Sequence, residues 1–343
     1  MQFIQICLSF NRVKLHAMRS LLKFRKLGVL SFLVLTQLVS CQQGGSSNYS
    51  WCYSSDNCTF PKVRALMASR FKTLDEFREV VGISYINTKM NSDSMPVKGQ
   101  SVVLTYVDRA DTINNILDFG VTQGDMIKVR DGSYSNRAKF AIFEPYSVAN
   151  RVELNEIYKL ARRRPRLFGV GDVAFYDLAL ASVSNIRHHN ESYKSEEDSS
   201  EKGYVNTYNH ITAQALITTL YGVRIADYIA DLHERYAMPH LLTGKFSVDE
   251  LTNPNKNAVD NYVDLINNKI GQELGLALRD KHKITQSTVW TSNLLANYLN
   301  EIQSYYSYSF GVGHKPFPQD HPTLEMMARK INKMREGVPF GIE

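Results

Sequence analysis

Asn257-Ala258-Val259-Asp260-Asn261-Tyr262-Val263-Asp264-Leu265-Ile266-Asn267-Asn268-Lys269-Ile270-Gly271 reads as one long helix. Val263, Ile266 and Ile270 recur at intervals of three and four, the spacing that stacks side chains on one helical face. Asp260, Asp264, Asn267 and Asn268 fall on an adjoining side. Carboxylates and amides so close to an apolar stripe need partners, because a buried polar group without a hydrogen bond is costly. The segment thus predicts helix packed on helix, with a polar cluster at the seam.

Its neighbours carry the same period. A helix is expected from Asn209 through Leu220, with His210 near its start and Ala213, Ala215, Leu216 and Leu220 as packing residues. Gly222 separates it from a second helix whose stripe is Ile225, Ile229 and Leu232 and which ends in His233-Glu234. Earlier, Val152, Leu154, Ile157, Tyr158, Leu160 and Ala161 recur helically until Pro165 stops them, and an apolar helix follows from Asp172 to about Ile186. Later, Leu294, Leu295, Tyr298, Leu299 and Ile302 form another core helix, and Pro322 precedes a last one from Thr323 to Glu336.

Ahead of these helices the period changes. Thr73-Leu74-Asp75-Glu76 offers a capping box for a short helix ending at Gly82. Three runs rich in β-formers follow: Val102 to Val107, Asp125 to Arg130 and Lys139 to Phe143. The expected fold is therefore mainly α: a C-terminal helical bundle, residues 148–343, preceded by a small N-terminal α+β region, residues 61–147. Residues 190–203, charged and rich in serine, read as a disordered, solvated insertion. The loop Gly311 to Pro318 is expected to fold over the His210 side, and Tyr305 to Phe310 is either a glycan-binding strip or the end of a core helix.

The front of the chain speaks to location. Arg19, Lys23, Arg25 and Lys26 precede a dozen mostly apolar residues, Leu27 to Leu38, too few to span a bilayer comfortably. The run closes in Leu38-Val39-Ser40-Cys41, which resembles a bacterial lipobox. That resemblance implies a signal peptide over residues 1–40, with Met18 as an alternative start, and lipidation at Cys41. Gln42 after the cysteine favours the outer membrane over the inner, and the membrane, reached through the lipid anchor, is then a partner. An ordinary cleaved signal, or an uncleaved anchor with Cys41 incidental, is the other reading. Residues 41–60 suit a flexible tether, and Cys52 and Cys58 are expected to form a local disulfide in an oxidising compartment.

Charge excludes one class. Residues 1–40 hold six Lys and Arg and no Asp or Glu, so 34 basic and 34 acidic residues remain beyond them, and no nucleic-acid partner is expected. Asn48-Tyr49-Ser50, Asn57-Cys58-Thr59 and Asn190-Glu191-Ser192 match glycosylation acceptors, which matter only in a eukaryote. His188-His189, beside the insertion, reads as exposed. No internal repeat, Gly-rich phosphate loop or Gly-x-Ser-x-Gly elbow is present.

His210, the pair His233-Glu234 and Asp264-Leu265-Ile266-Asn267-Asn268-Lys269-Ile270-Gly271 together resemble an uncharacterised bacterial helical domain family. In that family an early-helix His is followed by His-Glu and then Asp-Leu-x-Asn-Asn-x-x-Gly. An Arg before the first His is common there, whereas Asn209 stands here. No reaction follows from the resemblance. The residue types themselves allow two. His210, His233 and Asp264 could hold a divalent metal such as Zn, with Glu234 as base and Asn268 beside them as the remaining candidate catalytic residue, giving a metal-assisted hydrolase of an envelope polymer, lipid or phosphoester. Alternatively, His233 caps a helix while Asp264 and Asn268 satisfy the loop after Gly222, a structural network in a lipid-anchored envelope protein. The second reading makes the protein a non-catalytic interaction or assembly component whose partner is an envelope protein or polymer.

Overall fold

The computed structural model describes residues 52–53, 59–89, 98–187, 189–253 and 256–335. Three antiparallel strands, β1 (Val81–Lys89), β2 (Lys98–Asp108) and β3 (Asp111–Leu117), form a sheet in the order β1-β2-β3. Helices of nine or more residues follow in the chain: α1 (Gln123–Asp131), α2 (Tyr134–Phe143), α3 (Arg151–Leu160), α4 (Phe175–Ser184), α5 (Tyr204–Tyr221), α6 (Val223–Ala237), α7 (Ala258–Lys281), α8 (Ser292–Phe310) and α9 (Pro322–Arg335). The architecture is mainly α with a small N-terminal α+β region. Residues 1–50 and Cys58 lie outside the described residues, and with them the leader, Cys41 and the Cys52–Cys58 pair.

Helix α7 is the axis. It is capped at Asn257, whose side chain accepts from the Val259 backbone, and it runs ten residues past Gly271, to Lys281. The glycine is not a stop; it is a point of close approach. A Cβ on Gly271 would lie 2.7 Å from the Ile211 carbonyl oxygen, and one on Gly275 2.4 Å from that of Ala215. Two glycines four apart thus let α5 and α7 touch backbone to backbone. Around this pair α4 and α6 pack on α5, α6 also on α7, and α8 and α9 close the bundle.

The sheet lies on the same axis. Ile113, Asn115 and Leu117 alternate inward along β3, and Asn115 donates to the Leu265 carbonyl of α7 at 2.5 Å. Asn267 takes the segment before the sheet: it accepts from Leu66 N at 3.0 Å and donates to Leu66 O at 2.8 Å. Buried apolar residues from Val63 to Met334 form one continuous cluster, to which the sheet and the bundle both contribute.

Several sequence expectations need correction. Asp125–Arg130 and Lys139–Phe143 are helical, within α1 and α2. Thr122 and Asp125 cap each other in a capping box and Ser133 caps α2, so end signals outweigh β-branched content. The short helix after Thr73 stops at Arg78, and Gly82 already belongs to β1. Tyr305 and Tyr306 are buried in the core. The loop before Pro316 packs on the other side of α5 from His210: His314 Nε2 meets the Tyr208 hydroxyl at 3.0 Å, and residues two apart on a helix point nearly opposite ways.

The insertion at 190–203 is also organised. Asp198 is 0% exposed. It accepts from Ser69 Oγ at 2.7 Å and from Lys194 N at 2.7 Å, and it pairs with Arg70 Nη2 at 2.7 Å. A buried acid hidden in a solvated-looking charge run leaves no compositional trace.

Candidate functional site

Between α5 and α7 runs a ladder of polar rungs, each set by a four-residue step on both helices. At one end Asn206 Nδ2 donates to Asp264 Oδ1 at 3.0 Å and to Asp260 Oδ1 at 3.3 Å. In the middle His210 Nδ1 meets Asn268 Oδ1 at 2.8 Å, while its Nε2 lies 3.2 Å from Asp264 Oδ2. At the other end Gln272 Nε2 donates to Gln214 Oε1 at 3.3 Å. Asp264, Asn268 and Gln272 are buried, so the polar face of the quoted segment obtains its partners from α5.

Helix α6 adds Glu234 to the middle rung. This side chain is 1% exposed; its carboxyl oxygens make no hydrogen bond of regular geometry, and the Asn268 side chain is a donor that approaches them. One ligand atom each from His210, Glu234 and Asp264 lie within 4.8 Å of one another. Of the sequence candidates, therefore, His210, Glu234, Asp264 and Asn268 are brought together. His233 is not part of that group: it points to the adjoining pocket and stays exposed at its wall, because one residue along a helix turns the side chain by about 100°. Nor does it cap the helix, since α6 continues to Ala237.

The electrostatics follow from too much negative charge in too little water. Burial pushes the Glu234 carboxyl well above the usual range, and the charges of Asp264 and Asp260 push it further, with the Asn268 side chain opposing. Burial raises Asp264 to about 8, and burial with the Asp264 charge raises Asp260 to about 7. Desolvation acts the other way on imidazoles: it lowers His210, and it lowers His233 to about 4, helped by His210 and Arg162. The site therefore favours protonated acids and neutral imidazoles.

The Asn268 oxygen then fixes the tautomer. It accepts the Nδ1 proton of His210, leaving the Nε2 lone pair facing Asp264 and Glu234. Such an arrangement, with the far ring nitrogen tied to an acceptor, is how histidine is oriented toward a metal. Two carboxylates and one neutral imidazole also match the donor set of Zn²⁺ with an open position.

The cluster borders a pocket of about 340 Å³ between α3, α4, α5 and α6. His210, Glu234 and Asn268 form its polar floor, and Leu154, Ile157, Phe175, Ile217 and Ile229 its apolar walls. Asn206, Gln214 and Gln272 were not singled out in the sequence, although continuing the four-residue step from His210 and Asn268 would have reached them. Compared with protein-family models, with curated proteins and with solved structures, the chain matches none.

Proposed function

We propose that the helical domain holds one divalent metal, Zn²⁺ by donor type, on His210 Nε2, Asp264 and Glu234, and hydrolyses a bond in a substrate seated in the adjoining pocket. The observation that carries this reading is Glu234: a carboxyl 1% exposed, with no hydrogen bond of regular geometry, grouped with a histidine whose lone pair is already oriented. An unpaired buried carboxylate is unfavourable in any purely structural network. A divalent cation replaces two protons and balances both acids.

The chemistry is water addition. A cation held by His210, Asp264 and Glu234 would supply Lewis acidity, lowering the pKa of a water and polarising the scissile group. His233, neutral and lining the pocket, would accept the proton as the water oxygen bonds to the electrophilic centre, and return it to the leaving oxygen when that bond breaks. No redox partner is needed. We place this domain at the bacterial envelope, tethered by acyl groups on Cys41, on the strength of the lipobox-like run. Among the described residues no helix is long and apolar enough to cross a membrane.

One observation favours the non-catalytic reading, an envelope interaction or assembly component. The rungs extend beyond the metal-type cluster in both directions, Asn206 to Asp260 and Gln214 to Gln272, as a device for fixing α5 on α7 would. Metal analysis of the purified chain separates the two. The hydrolase reading expects one Zn²⁺ per chain, lost in His210→Ala and Glu234→Gln. A metal-free parent in which Glu234→Gln merely raises the melting temperature would leave the structural network alone standing.

A further inference from the structure

Helix α2 is anomalous within the bundle. None of its residues is fully buried; it packs mainly on α1 and on the short helix Pro145–Ala149, and Phe140 alone of its large apolar residues reaches the core. Two large apolar residues at its C-terminal end face outward: Ile142 is 74% and Phe143 66% exposed. Tyr134, at its start, and Val152, at the start of α3, are exposed as well. Yet its supports are fixed. Arg235 of α6 donates to the carbonyls of Asp118 and Val121 at 2.9 Å, holding the approach to α1 beside Glu234.

Those supports also frame the pocket. Gln123 of α1 and Leu154 and Tyr158 of α3 line it, so α2 hangs between two of its walls. The surrounding charge is one-sided. From Lys128 to Arg166 the chain carries ten Lys and Arg against four Asp and Glu, while the chain beyond residue 40 is balanced. Arg163 and Lys128 are paired with Asp177 and Asp125 and Lys159 is buried, which reduces the excess without reversing it. Exposed aliphatic and aromatic residues amid basic ones suit one partner, the surface of an anionic bilayer.

Accordingly, and resting on the hydrolase reading above, we infer that the substrate is an acyl lipid drawn from an anionic membrane surface, on which α2 seats the pocket. The apolar walls take the acyl chain, Arg162 at the rim faces the headgroup, and the ester lies over His210 and Glu234. Water splits it into a carboxylic acid and an alcohol. The tether at Cys41 would keep the domain within reach of such a surface.

The test uses the full chain carrying Phe143→Trp, reconstituted in vesicles of phosphatidylcholine alone or with phosphatidylglycerol, both with brominated acyl chains. The fluorescence of the added tryptophan, taken against the parent chain, should shift to the blue and be quenched with phosphatidylglycerol and not without it. Emission typical of water in both vesicles overturns the inference. Equal quenching in both overturns the anionic preference on which it depends. Metal content and fatty-acid release, measured on the parent chain in the same vesicles, separate the two proposals. A metal-loaded chain that hydrolyses a soluble ester but does not dock sinks only the lipid, and so does one that docks but releases no fatty acid. A docked chain without metal sinks the hydrolase.

Discussion

His210 Nδ1 and Asn268 Oδ1 stand 2.8 Å apart across the α5 and α7 interface, so the amide of one helix selects the tautomer of the other's imidazole. Removing the acceptor frees the ring to rotate and to carry its proton on Nε2, where a metal would bind. Asn268→Ala should weaken Zn²⁺ binding by about 10- to 100-fold, the usual cost of losing a group that orients a ligand. Asn268→Asp keeps an acceptor in place and should recover most of the affinity. Competition titration against a chromophoric chelator reads both, and equal affinities in parent and Asn268→Ala would remove the orienting role.

The closeness that makes this bond possible comes from glycine. Helix propensity alone would favour alanine at position 275 by about 1 kcal/mol. Packing points the other way, since the new Cβ would meet the Ala215 carbonyl oxygen at 2.4 Å and the Thr218 Cβ at 2.9 Å. Neither neighbour is the end of a flexible side chain. Overpacking of this kind costs about 1–3 kcal/mol, so Gly275→Ala should be destabilising on balance and should weaken metal binding as α7 shifts from α5. Urea denaturation measures the first effect; a stabilised variant would show that the helices can part without cost.

How much of this was legible in the sequence depends on the range of the interactions involved. The helical stripes of α3, α5, α6 and α7 were readable because apolar period is a local signal, and so was the candidate set His210, Glu234, Asp264 and Asn268. The β assignment of residues 125–130 and 139–143 failed because Thr122 and Ser133, each just ahead of its run, set helix starts that composition does not weigh. His233 reads as a ligand and Glu234 as the base in the sequence, but adjacent helical residues diverge, and it is Glu234 that joins His210 and Asp264. The pairing of Asp198 with Arg70, and of Asn267 with Leu66, joins distant parts of the chain and has no one-dimensional signature.

Asp198 itself gives a sharp expectation. It takes hydrogen bonds from Ser69, Lys194 and Ser195 in addition to the Arg70 pair, and is wholly buried. Breaking a buried pair from one side costs about 3–5 kcal/mol, with the lower end apt here because Arg70 retains access to solvent. Asp198→Ala should lower stability by that amount and open residues 190–203 to limited proteolysis. Protection of the segment in the variant would mean that the acid does not organise it.

Stability should also depend on pH in an unusual direction. Glu273 is buried, its Oε1 has no hydrogen-bond partner, and desolvation raises its carboxyl to about 8, with Lys269 opposing. A carboxyl raised in the folded state contributes stability that is complete below its unfolded value near 4.5 and is lost as pH rises through about 8. Asp231, raised to about 7, acts in the same sense. The buried histidines, including His314 lowered to about 4, oppose folding only below their unfolded value near 6.5. Between pH 6.5 and 8 the carboxyls therefore govern the slope, and the melting temperature in the presence of a chelator should fall as pH rises. Glu273→Gln should flatten that fall and stabilise the chain at pH 8 by about 1–3 kcal/mol, the cost of an unsatisfied buried group. Parallel pH profiles for parent and variant would show that Glu273 is solvated or paired in the folded protein.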